Sequence, residues 1–258
     1  DRPCCRTIKR RSTIKGGGIM ITLKGKTALV TGATGGMGKE IALGLAREGV
    51  HLVLLGRNQA KLDGLRELIE GNSAIHIKTV SLGLEDNIEE AASELASELD
   101  QLDILVYAAG SIIPNTLDQV TGGEYERQFN INFHSAFTLV RALIPRLKES
   151  SGQIVMINSS VIKNAKADLP VYTASKHALA GFTESLRQEV NPSGIRVVNI
   201  VPGKTATGMQ EELARSMNVD IRSDSMIQPY DIAYTVLQIL KLPYTAEITD
   251  VFIRPMRK

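Results

Sequence analysis

"KTALVTGATGGMGKEIALGLAREG", residues 26–49, is the stretch on which the fold turns. An apolar run ends at Thr31, a turn with glycines at 32, 36 and 38 follows, and Ile41, Leu45 and Glu48 then recur at helical spacing up to Gly49. Strand, glycine turn and helix in that order bring backbone N–H groups and the positive end of a helix against an anion. A pyrophosphate is the natural guest of such a turn. The predicted cofactor contacts here are Gly32, Thr34, Gly36, Met37 and Gly38.

Outward from this unit the pattern repeats. Strand candidates lie at 26–31, 51–56, 75–80, 103–108, 153–158, 196–201 and 248–253, most of them nearly continuous in Val, Ile and Leu, as strands covered on both faces are. Amphipathic segments separate them, such as 87–99 with Ile88, Ala91, Ala92, Leu95 and Leu99 along one stripe. The alternation predicts a single doubly wound α/β domain over residues 20–258, with a parallel seven-stranded sheet and helices on both faces. Ligands of such folds bind beyond the carboxyl ends of the strands, where strand order reverses.

The bulk properties exclude other classes. With 43% hydrophobic and 22% charged residues the composition is that of a soluble globular protein, and no apolar run approaches a membrane span. The formal charge of +2 divides unevenly: residues 1–18 carry a net +5 and the rest −3. Residues 1–19 are expected to be a disordered basic extension, native or left by cloning, rather than a nucleic-acid arm or a targeting peptide. Both cysteines, Cys4 and Cys5, lie in it; the cysteine-free body fits a reducing cytoplasm. The four histidines have no metal-ligand spacing, so no metal is expected.

Two further stretches carry chemistry. After the second strand "LLGRN" presents Arg57 and no acid, which suits a ribose 2′-phosphate and so NADP(H) rather than NAD(H). In "VYTASKHAL" (171–179) Tyr172 and Lys176 share a helix face, so that the ammonium could lower the phenol towards working pH. Ser159 stands thirteen residues before Tyr172 at the end of a strand.

The motifs "TGATGGMG", "AAG", "INSS", "YTASK" and "PGKTAT", in this order, resemble the short-chain dehydrogenase/reductase family over residues 22–258. The resemblance implies a Rossmann-type fold and an NADPH-dependent carbonyl reductase, reversible as an alcohol dehydrogenase, with a 3-oxoacyl reductase as one candidate. It implies Tyr172 as acid/base, Lys176 as its partner on the cofactor ribose, Ser159 (in preference to Ser160) as the hydroxyl on the carbonyl, and Asn132 (in preference to Asn130) as support of a proton relay. Ala109, Gly110, Tyr172, Lys176, Pro202, Gly203, Thr205 and Thr207 are implied as cofactor contacts. It also implies a small-molecule substrate and a homodimer or homotetramer packed through "INFHSAFTLV" and "SKHALAGFTESL", with neither nucleic acid nor membrane as partner.

Two positions depart from the family pattern. The usual N-N-A-G reads Tyr107-Ala108-Ala109-Gly110, and Ser81 stands where an Asp commonly contacts adenine, leaving that contact to backbone or Leu82. The segment after Thr207, polar and without aromatics, is expected to form part of a lid, and Lys163 and Lys166 to be solvated rather than to draw in an anionic substrate. A cofactor-sensing regulator of the same fold is the alternative reading, which the complete Ser–Tyr–Lys set disfavours.

Overall fold

The apolar runs become strands because each can be covered from both sides. In the computed structural model, which describes residues 20–71, 75–83, 88–217 and 223–256, β1 (Thr27–Thr31), β2 (His51–Gly56), β3 (Ile77–Ser81), β4 (Ile104–Tyr107), β5 (Gln153–Ile157), β6 (Arg196–Pro202) and β7 (Asp250–Ile253) form one parallel sheet. Its order is β3-β2-β1-β4-β5-β6-β7. All residues of β4 and β5 are buried, whereas the edge strands β3 and β7 are half-exposed and correspondingly more polar.

Alternate residues of each strand point to opposite faces. Val30, Val106 and Val155 pack under α1 (Gly36–Arg47), α2 (Gln59–Glu70) and α8 (Pro229–Leu240). Leu29, Leu105 and Ile154 pack under α3 (Ile88–Glu98), α5 (Ser135–Ser150) and α6 (Pro170–Val190). Gly49 stops α1 as expected, at φ +76°, a conformation that a side chain would strain. Of the predicted α3 stripe, Ile88, Ala92 and Leu95 are buried, and Leu99 is buried just past the helix end. The remaining helices, α4 (Gly122–Phe129) and α7 (Gly208–Ser216), belong to the site side.

At the amino ends of β1 and β4 a buried carboxylate ties the sheet together. Asp103 accepts from the Thr27 amide at 2.9 Å, Lys26 Nζ at 3.1 Å and Gln101 Nε2 at 2.7 Å, so its charge is compensated where water is excluded. The sheet reverses direction of winding between β1 and β4, and their carboxyl ends face the cleft described next. Residues 1–19, the basic extension of the sequence analysis, lie outside the described residues. Among the described residues no helix is long and apolar enough to cross a membrane.

Candidate active site

The turn between β1 and α1 is built by three glycines with three different reasons. Gly32 has φ +62°, and a Cβ there would stand 2.9 Å from Ala108 O and from Ala109 N. At Gly38 a Cβ would fall 2.2 Å from Gly32 O, and at Gly36 it would fall 2.7 Å from Thr207 Cγ2. The first turn of α1 begins at Gly35 with no side-chain cap, so its amides are available to an anion. Thr31 closes β1 by accepting from the amides of Ala108 and Ala109, both at 3.1 Å. One threonine thus fastens the loop in which the family pattern would have used asparagines.

A cleft of about 530 Å³ opens beside this turn. Of the predicted cofactor contacts, Gly32, Thr34, Gly36, Met37, Gly38, Arg57, Ala109, Gly110 and Thr207 line it. Pro202, Gly203 and Thr205 do not: Gly203 N bonds Ile253 O at 2.8 Å, and buried Thr205 bonds Gly203 O at 3.1 Å, so this segment ties β6 to β7. Leu82 lines the cleft, while Ser81 turns its hydroxyl to Arg57 O at 3.5 Å. Lys61, missed in the sequence, joins Arg57 in the lining; it lies in the first turn of α2, four residues on, a spacing that could have marked it. The space that the glycines leave and the paired cations suit a dinucleotide with an extra phosphate.

Beyond the cleft, β5 and α6 converge. Tyr172 and Lys176 lie one turn apart on α6 and are 8% and 3% exposed. Ser159, half-buried after β5, accepts from the Val161 amide at 3.4 Å to cap the 3₁₀ turn at 160–162, and its hydroxyl lies on the Tyr172 side, where it pulls the phenol pKa down. Lys176 Nζ donates to Ile157 O at 3.2 Å and lies 6.0 Å from the Tyr172 ring centre. Gly110 joins the two regions, since a Cβ there would be 3.4 Å from Asn132 Oδ1 and 3.7 Å from Lys176 Nζ.

Asn132 is fully buried in a single π-helical stretch, Asn130–His134, between α4 and α5. Its amide takes the Ser111 N–H at 2.8 Å and donates to Ser111 O at 2.8 Å and to Ser175 Oγ at 3.0 Å. Ser175 Oγ in turn donates to the backbone carbonyl of Tyr172 at 2.8 Å. Asn130, the competing residue, only contributes its carbonyl to the helix, accepting from Ser135 N.

The electrostatics differ from the sequence expectation in one respect. Burial pushes the Tyr172 phenol up, and the Ser159 hydrogen bond only partly opposes it. Lys176 is itself pushed down to about 8 by burial. In this arrangement desolvation outweighs the ammonium, and the phenol holds its proton at neutral pH. The lysine gives a stability signature. An unfolded lysine keeps its proton to about pH 10.4, so between pH ~8 and ~10 the unfolded chain binds more protons and stability rises with pH. Above that the phenols of Tyr172 and Tyr107, both held up by burial, reverse the slope. Denaturant melts of wild type and Lys176→Met at pH 8 and pH 10 should show wild type gaining on the variant; parallel behaviour would mean the lysine is not depressed.

The lid differs as well. Met209 and Leu213, one turn apart on α7, face the cleft, and Leu213 packs with Ile112 against Val161, Leu169 and Tyr172. The inner surface is therefore mixed, with Thr207, Glu212 and Ser216 lining the cleft beside Met209 and Leu213; residues 218–222 of the segment lie outside the described residues. Lys163 and Lys166 are exposed and line no part of the cleft, and Lys163 Nζ sits 5.4 Å from the Phe252 ring centre. The cation that does line it beside Ile113 and Pro114 is Arg127, for which the sequence offered no signal. Among the described residues no group of His, Cys, Asp or Glu is gathered to hold a metal ion.

Comparison with known proteins agrees with this geometry. The short chain dehydrogenase family model matches residues 26–218. An uncharacterized oxidoreductase of Staphylococcus saprophyticus is 29% identical over 240 residues, covering 92% of this chain and 100% of that protein. A metagenomic short-chain oxidoreductase solved in complex with NADP superposes with a TM-score of 0.78 at 28% identity, over 92% of this chain and 100% of its own. A short-chain dehydrogenase from Sphingobium yanoikuyae in complex with NADPH gives a TM-score of 0.78 at 25% identity, over 88% of this chain and 87% of its own.

Proposed function

The chain belongs to the short chain dehydrogenase family of oxidoreductases, and from that premise we propose that it is an NADP(H)-dependent carbonyl reductase acting on substrates with an aliphatic group beside the carbonyl. Residues 20–258 form its catalytic domain. The observation that carries the reading is the convergence of Ser159, Tyr172 and buried Lys176 beside the cleft, where Tyr172 packs with Ile112 and Leu213 of the lining and a Cβ at Gly110 would lie 3.7 Å from Lys176 Nζ. The glycine turn would hold the pyrophosphate, and Arg57 with Lys61, which line the same cleft, would hold the 2′-phosphate. When bound, the reduced nicotinamide supplies the hydride to the carbonyl carbon.

Everything else falls to side chains. Ser159 and Tyr172 donate to the carbonyl oxygen and fix its position. As negative charge develops there, Tyr172 transfers its proton to the oxygen and the alcohol leaves; Lys176 stabilises the phenolate that remains. Asn132, through Ser111 and Ser175, supports the route by which Lys176 and Tyr172 recover a proton. The reverse sequence oxidises an alcohol.

Substrate class follows from what meets Tyr172. Ile112, Val161, Leu169 and Leu213 are all aliphatic, so a carbonyl flanked by hydrocarbon loses no hydrogen bonds there, whereas a polyol would. A 3-oxoacyl chain satisfies this requirement. The reading places the protein in a reducing compartment, the cytoplasm, and as a homodimer or homotetramer packed through α5 and α6, where Phe137 is exposed beside Phe182.

The test is loss of NADPH absorbance, with NADH in parallel, across aliphatic ketones, aldehydes, 3-oxoacyl thioesters and sugar carbonyls. NADPH should be preferred, and aliphatic substrates should outrun the sugars. Arg57→Ala should raise the KM for NADPH roughly 10–100-fold, the worth of a hydrogen bond to a charged group, and leave the KM for NADH unchanged. Equal losses with both cofactors would remove Arg57 from the phosphate site.

A further inference from the structure

Tyr107 is the last residue of β4 and is fully buried. A phenol in a hydrocarbon core requires a partner for its hydroxyl. It has two: the hydroxyl donates to Ile131 O, and it lies 2.5 Å from Ser135 Oγ. Ser135 Oγ is also within 3.0 Å of Ile131 O. With one proton each, Tyr107 donates to that carbonyl and Ser135 donates either to the same carbonyl or to the phenol oxygen.

The carbonyl they hold belongs to the π-helical stretch. There the Ser135 amide pairs with Asn130 O, five residues back, so the backbone register slips by one residue. A π turn is the weaker form of helix, and a side chain inserted into its ladder is one way to keep it. Ile131 O belongs to the peptide that leads directly into Asn132. Fixing that peptide fixes the direction in which the Asn132 amide leaves the helix. From there it reaches the Ser111 backbone twice and Ser175 once.

We propose that Tyr107 is the positioning residue of Asn132: its hydroxyl locks the π turn so that the asparagine amide stays engaged with Ser111 and Ser175. Its role is therefore in proton resupply to the Tyr172–Lys176 pair and not in cofactor affinity. Thr31 already holds the neighbouring amides of Ala108 and Ala109, so the two departures from asparagine in this loop serve different ends. The inference rests on the reductase reading above.

The experiment is a double-mutant cycle. Tyr107→Phe, Asn132→Ala and the double variant are compared for kcat and for the KM of NADPH, with the fastest carbonyl of the panel. Tyr107→Phe should lower kcat about tenfold, the worth of one buried hydrogen bond, at unchanged KM for NADPH. The double variant should be no slower than Asn132→Ala alone. Additive losses, or an unchanged kcat for Tyr107→Phe, would overturn the proposal. If Tyr107→Phe does not fold, Ser135→Ala tests the same carbonyl with the same non-additivity. Should wild type turn over no carbonyl, the reductase reading fails by itself. Tyr107 is then judged by hydrogen exchange of the peptide containing Ser111, which must quicken in Tyr107→Phe; unchanged exchange would sink the positioning role.

Discussion

Tyr172→Phe is expected to reduce kcat about 10²–10⁴-fold, the span that a positioned general acid supplies, while the Kd for NADPH stays at the wild-type value. Phenylalanine fills the same volume, so the packing of Tyr172 against Ile112, Val161, Leu169 and Leu213 survives. What is lost is the one proton donor at the site that burial keeps protonated at neutral pH. Cofactor binding should not follow, because the phosphate contacts proposed for the cofactor come from the glycine turn, Arg57 and Lys61, on elements other than α6. Single-turnover NADPH oxidation measures the first quantity and titration of NADPH fluorescence the second. Normal turnover with weakened NADPH binding would move Tyr172 from the chemistry to the cofactor.

The sequence made the sheet legible because burial on both faces leaves a composition signature. β1, β4 and β5 centre on runs of buried apolar residues, and their limits differ from the expected ones by a residue or so. The Tyr172–Lys176 spacing was equally open to reading, since helical periodicity puts i and i+4 on one face. Three things were hidden, each for a physical reason. The direction of the Tyr172 shift depends on desolvation, a property of the assembled core that no local spacing encodes. Thr31 could not be seen as the substitute for the missing asparagines, because its partners at Ala108 and Ala109 come from a strand 77 and 78 residues away. The lid was judged by mean polarity, which does not show that Met209 and Leu213, one turn apart, come to the cleft together with Glu212 and Ser216.

Gly38→Ala should be the most damaging single methyl in the cofactor site, and the reason lies in what cannot move. The added Cβ would sit 2.2 Å from Gly32 O and 2.8 Å from Gly32 C, both backbone atoms. Gly32 has little room to retreat, since the space where its Cβ would stand is already bounded by Ala108 O and Ala109 N. Any displacement is therefore passed through Thr31 to the loop carrying Gly110, beside Asn132 and Lys176. Overpacking of this kind costs about 1–3 kcal/mol, so the Tm should fall by roughly 2–10 °C at this chain length. NADPH affinity should fall about 100-fold, because the amides that meet the pyrophosphate are the ones displaced. Gly36→Ala supplies the contrast: its Cβ meets Thr207 Cγ2 at 2.7 Å and Thr207 Cβ at 3.1 Å, side-chain atoms at the start of α7 that can shift by a few tenths of an ångström more easily than backbone within the turn, so its loss should be nearer tenfold. Calorimetric titration of both variants with NADPH reads the difference, and equal losses would show that the turn yields as a unit rather than at the Gly32–Gly38 contact.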